Sequence, residues 1–74
     1  MDEDALKLKI GATIRARRVE LGYSQDTFAD VIDMHRAYYG GIERGVRNLT
    51  IPTLWRVARG LKVKPSELLR QAGA

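Results

Sequence analysis

Apolar residues recur along this chain at helical spacing, and nowhere in the alternation of a half-buried strand. Leu6, Ile10, Ile14 and Leu21 fall at three- and four-residue multiples, which predicts a first helix from about Ala5 to Leu21 with Gly22 as its stop. Ser24 is placed to cap a second helix, Gln25 to Ile32, with Phe28, Ala29 and Ile32 as its stripe. Asp26 lies in its first turn, where the helix dipole favours an acid. Asp33-Met34 reads as a tight turn, followed by a third helix from His35 to about Arg44 that Gly45 ends. After the loop 45–50, "GVRNLT", Thr50 is the next N-cap, and Pro52 suits the first turn of a fourth helix that turns Leu54, Val57, Ala58 and Leu61 inward. A last helix starts at Pro65, with Glu67 in its first turn and Leu68-Leu69 as its apolar part. The expectation is an all-α, five-helix fold in one domain covering residues 1–74.

Length and composition narrow the ways such a fold can be held. A chain of 74 residues buries little surface, so it needs tight helix packing, self-association, disulfides or metal. With no cysteine and one histidine, a disulfide framework is excluded, and no metal site or cofactor is expected. No apolar run approaches the roughly 20 residues of a membrane span, and the start Met1-Asp2-Glu3-Asp4 is too acidic for a signal peptide. A soluble cytoplasmic protein without a membrane partner is expected. Charge is unevenly spread: residues 1–34 carry five basic and seven acidic side chains, net −2, and residues 35–74 carry eight and two, net +6. The second half is suited to a polyanion, although a solvated basic surface would look the same.

One stretch resists a purely structural reading. In "HRAYYGGIERG", residues 35–45, two glycines sit inside a predicted helix, where each costs about 0.5–1 kcal/mol relative to alanine. At about 100° per residue, Arg36, Ala37, Gly40, Gly41 and Arg44 share one face of roughly 140°. His35, Tyr38, Tyr39 and Ile42 fall on the other, expected to pack on the domain. The outward face is then two arginines separated by very small side chains, a smooth channel that would let the backbone approach a major-groove floor. Close helix packing is the plainer use of such residues. If the glycines are open, Gly41→Ala should stabilise the free protein by up to about 1 kcal/mol.

The second and third helices, about residues 25–44, have the form of a helix-turn-helix. "SQDTFADVIDMHRAYYGGIERGVRN" resembles the lambda-repressor-like (Cro or XRE) family of DNA-binding domains, with Ser-Gln opening the second helix and Ile-Glu-Arg-Gly closing the third. The likeness runs from Gly11 to Leu69, through "IRARRVELGYSQ" and "TLWRVARGLKVKPSELL". Within the family, "DMHRAYYGGIERGVRN" is most similar to the small controller proteins of restriction-modification systems, which regulate their own operon and the endonuclease gene. Two residues depart from the pattern: Asp33 stands where the turn usually has glycine, and Tyr39 where the core usually has Ile or Val.

The resemblance implies a dimeric regulator of transcription, with a double-stranded, pseudo-palindromic operator and RNA polymerase as further partners. Base edges would be met by His35, Arg36, Ala37, Gly40 and Gly41, with Arg36 suited to the O6 and N7 acceptors of guanine. Phosphate contacts are expected from Ser24 and Gln25 at the start of the second helix, from Arg44, Arg47 and Asn48 beyond the third, and from Arg17. Arg18 and Glu43 match a structural salt bridge of the family. The dimer interface is expected at Trp55, Leu68 and Leu69, near the end of the chain. A protein-interaction module such as an antitoxin is the second class; no nucleophile, base and orienting group occur together to suggest an enzyme.

Overall fold

In the computed structural model, which describes all 74 residues, five helices follow one another with no strand: α1 Glu3–Glu20, α2 Gln25–Val31, α3 Arg36–Arg44, α4 Ile51–Gly60 and α5 Pro65–Gln71. α1 begins earlier than its apolar stripe implies, because the Asp2 carboxylate accepts the Ala5 amide at 2.8 Å and extends the helix by the exposed acidic residues Glu3 and Asp4. Ser24 and Thr50 cap α2 and α4 as their positions predict, each accepting the amide three residues on. His35 precedes α3 as its N-cap residue and is exposed, not packed against the domain, and its side chain makes no capping bond.

The helices share one way of stopping. Gly22, Asp33, Gly45, Lys62 and Gly73 all take left-handed φ, from 53 to 85°. At each, the next amide reaches back to a carbonyl five residues earlier: Tyr23 to Arg18, Met34 to Ala29, Val46 to Gly41, Val63 to Ala58 and Ala74 to Leu69. The left-handed residue's own amide bonds to the carbonyl three back, which completes a Schellman motif and satisfies carbonyls a helix end would otherwise leave unpaired. Asp33 therefore adopts the glycine conformation that the helix-turn-helix turn demands, at some steric cost.

Around these ends the inward stripes meet in one core. Ile10 and Ile14 of α1, Phe28 and Ala29 of α2, Tyr39 and Ile42 of α3, and Leu54, Val57 and Ala58 of α4 are buried together, with Tyr23, Phe28 and Tyr39 in a tilted aromatic row. Tyr39 fits the core with its ring, but its buried hydroxyl finds no partner in hydrogen-bond geometry. α5 is only seven residues long, and Leu68 is the side chain that anchors it, 1 % exposed. Leu68 is thus core and not the interface residue expected from sequence; Leu69 is half-buried against the same core. A helix of two turns has no other large residue with which to dock, so one of its leucines must face inward.

α1 and α3 pass unusually close. A Cβ at Gly11 would stand 2.4 Å from the Glu43 carbonyl oxygen and 2.5 Å from that of Ile42, so only glycine lets the two backbones approach this far. Beside this crossing, Arg18 of α1 and Glu43 of α3 form a buried ion pair at 2.6 and 3.1 Å. The Arg18 guanidinium also donates to the Tyr23 carbonyl, and Gln25 donates to Glu43 at 3.0 Å, so one network ties α1, α2 and α3. That network fixes where α3 sits.

Candidate nucleic-acid interface

α3 presents Arg36, Ala37 and Arg44 to solvent on one face. Gln25, at the start of α2 next to Ser24, reaches α3 at Gly40, and Arg47, next to Asn48 in the loop after α3, reaches it at Gly41. Arg44 and Arg47 have no acidic partner, which leaves two cations free for an anion. The Arg47 guanidinium instead lies over the Tyr38 ring, 5.9 Å from its centroid. The Tyr38 hydroxyl donates to the Asn48 carbonyl at 3.1 Å, so the loop after α3 is folded back along the helix.

This folding corrects the open glycine channel. Both glycines are buried. Gly40 lies beneath the ends of Gln25 and Arg44, each 3.2 Å from where its Cβ would be, and Gly41 lies beneath the stem of Arg47, whose Cγ would be 2.6 Å from a Cβ. The helix is thin here because long polar side chains fold across it. Those chains, and not bare backbone, form the surface. Gly41→Ala is accordingly expected to give a melting temperature no higher than the parent's, since displacing Arg47 from Tyr38 offsets the roughly 1 kcal/mol of helix propensity. A clear rise in thermal melting would mean that Arg47 does not cover the glycine.

Arg17 also departs from expectation. Its Nε donates to the Leu61 carbonyl at 3.1 Å and its Nη1 to Glu20 at 2.6 Å, which ties the side chain to the end of α4. Gln25 is engaged as well, through Glu43. Asn48 accepts from Lys7 at 3.3 Å through its side-chain oxygen. Arg36 is held by two carboxylates of α2: Nη2 and Nε meet Asp30 at 2.8 and 3.3 Å, and Nη1 meets Asp26 at 3.5 Å. Hydrogen bonding to Arg36 holds the Asp30 carboxyl below its usual pKa and raises that of the guanidinium, so both stay charged.

Comparison with known proteins agrees with this geometry. A family profile described as helix-turn-helix matches residues 14–68. The control protein C.MunI of a Mycoplasma species is 38% identical over 64 residues, spanning 85% of this chain and 86% of that one. The control protein C.BamHI of Bacillus amyloliquefaciens is 34% identical over 65 residues, 86% of this chain and 80% of its own. The crystal structure of the restriction-modification controller protein C.AhdI from Aeromonas hydrophila superposes with a TM-score of 0.79 at 38% identity, covering 82% of this chain and 92% of that chain. This chain belongs to the helix-turn-helix family that contains the restriction-modification control proteins.

Two features of this helix-turn-helix domain were not read from its sequence. Asp26 and Asp30 are four residues apart on α2, so they share a helix face, but nothing in that spacing says that the face looks onto Arg36. The second is Ile51, 79 % exposed one turn before Trp55, which is 52 % exposed and stacked under the Arg59 guanidinium at 5.2 Å. Ile51 lies off the inward stripe of α4, and that was the available signal. The exposed apolar surface near the chain end therefore belongs to α4. No helix is long and apolar enough to cross a membrane.

Proposed function

We propose that this protein is a sequence-specific DNA-binding regulator of the control-protein type, a homodimer that inserts α3 into the major groove at each half of a pseudo-palindromic operator. The observation that carries this reading is the exposed Arg36, Ala37 and Arg44 face, bordered by an unpaired Arg47 and by the Ser24-capped start of α2. Arg36 reads a guanine. Arg44, Arg47, Asn48, Ser24 and Gln25 hold phosphates, and His35 and Ala37 stand beside the base edges. Gly40 and Gly41 act indirectly, by letting Gln25, Arg44 and Arg47 lie close to the helix. Arg17 is left out, since its side chain is tied to the Leu61 carbonyl at the end of α4 and to Glu20 of its own helix.

Selection from a randomised duplex library, followed by binding at several salt concentrations, tests the reading. One palindromic site should be enriched, and log affinity should fall with log salt at about −0.9 per phosphate contacted. Arg36→Ala should lose about 1–3 kcal/mol on the enriched site and relax the preference at one base of each half. Failure to enrich any site, with binding indifferent to salt, would favour the protein-interaction reading.

Dimerisation is assigned to the exposed Ile51 and Trp55 of α4, with Leu68 in the core and Leu69 half-buried against it. One reading helix spans only a few base pairs, and half-sites about 34 Å apart require two. Sedimentation at tens of micromolar should show a dimer, and Ile51→Glu, at an exposed position, should give a folded monomer. A parent protein that stays monomeric with and without the enriched duplex would contradict the assignment.

A further inference from the structure

Two carboxylates stand at the tip of the surface that carries the basic reading face. Asp26, Asp30 and Arg36 have side chains 62 %, 58 % and 57 % exposed, so the ion pairs between them are screened by water and contribute little to folding. They also place negative charge where phosphates would approach. Fold stability does not account for that arrangement, and general affinity for a polyanion is reduced by it.

The geometry has a chemical use. A guanidinium has two forks of paired donors, one formed by Nε and Nη2 along its side and one by Nη1 and Nη2 at its end. Asp30 occupies the side fork, at 3.3 Å to Nε and 2.8 Å to Nη2. The end fork is left for an outside acceptor, with Asp26 only at the 3.5 Å limit of hydrogen bonding to Nη1. Guanine O6 and N7 are neutral and match an end fork, so they can be bound while Asp30 stays in place. A phosphate is different, because to reach it Arg36 must either leave Asp30 unpaired or bring an anion against the carboxylate.

We propose that Asp30, assisted by the weaker Asp26 contact at Nη1, is a specificity-determining residue: it holds Arg36 end-on for a guanine edge and withholds the same guanidinium from phosphates. The inference rests on the reading of Arg36 as a base contact. Asp30 is a positioning residue that touches no base. Its effect falls on the ratio of specific to non-specific affinity, and it lowers non-specific affinity most. Holding the side chain also removes part of the rotamer freedom that Arg36 would lose on binding.

The test uses two probes, a duplex enriched from a randomised library by the parent protein and the same duplex with its sequence scrambled. Asp30→Asn keeps the shape and removes the charge. It should tighten binding to the scrambled duplex by about fivefold or more and change the enriched duplex less, so that their ratio falls by a similar factor. Asp30→Glu should retain most of the ratio, and Asp26→Asn should have a smaller effect than Asp30→Asn. In an Arg36→Ala background, Asp30→Asn should change the ratio no further. Circular-dichroism melting of each variant confirms that folded proteins are compared. An unchanged ratio in Asp30→Asn, or an equal fall in both backgrounds, would overturn the proposal while leaving Arg36 as a base reader. If Arg36→Ala itself leaves the ratio unchanged, the base-reading assignment fails and this inference fails with it.

Discussion

Gly11→Ala is expected to melt about 8–16 °C below the parent, the effect of a net loss of about 2 kcal/mol in a domain of this size. The new methyl group would meet the Glu43 and Ile42 carbonyl oxygens at 2.4 and 2.5 Å, and these are backbone atoms near the end of α3 that no rotamer change can move. α1 and α3 must separate by most of an ångström. Forced overpacking of this kind costs about 3 kcal/mol at the upper end of its usual range, against up to about 1 kcal/mol gained in helix propensity. Gly40→Ala is the matched control, because its Cβ meets only the ends of Arg44 and Gln25 at 3.2 Å and both can yield. A Gly11→Ala protein that melts with the parent would show that the backbones do not approach as described.

Glu43→Ala should cost more, about 3–5 kcal/mol, since it leaves the Arg18 guanidinium buried without its anion. A domain of this size has roughly 4–11 kcal/mol in all, so much of the variant should be unfolded on mild warming. Replacing both partners, as in Arg18→Met with Glu43→Leu, should recover part of the loss, because an apolar pair carries no desolvation penalty. Burial works against the charged form of Glu43. The hydrogen bonds from Arg18 and Gln25, with the Tyr39 hydroxyl close by, more than offset it and hold the carboxyl below its ordinary value of 4.5. Tyr39 is pushed the other way, by burial first and by that carboxylate second, and stays protonated. The folded state therefore binds the Glu43 proton less readily than the unfolded chain does. The pair's contribution is complete above about pH 4.5 and is lost as pH falls through the lowered value. Denaturant midpoints measured down the acid limb should drop in the parent and be flatter in the double variant.

Much of this was legible in the sequence wherever the cause is local. Ser24, Thr50, Pro52 and Pro65 start helices through their own side chains or fixed φ, and Gly22 and Gly45 stop them, so the boundaries lie within two residues of expectation. The Arg18–Glu43 pair was legible by resemblance, and it forms. What stayed hidden depends on long side chains crossing between elements. A helical wheel places Gly40 and Gly41 outward but says nothing of Arg47 folding back over them, because that requires the loop's return along α3. Leu68 and Leu69 are adjacent and equally apolar, and only the docking angle of α5 decides which one is buried. Gly11 carries the same signal as Gly40 and Gly41, being a glycine within the α1 stripe between Ile10 and Ile14.

The shared helix stop has a consequence for the domain as a whole. Three of the five left-handed positions hold glycine, but Asp33 and Lys62 place a Cβ in a conformation that L-residues disfavour by about 1 kcal/mol or more. Lys62, without the short polar side chain that eases the strain for aspartate, bears more of it. Both sites meet the same hydrogen-bonding requirement as the glycine ends, so the strain yields no additional bond. The domain consequently sits below the ceiling its own topology permits, and the unused margin lies in two turns, the one after α2 at Asp33 and the one after α4 at Lys62.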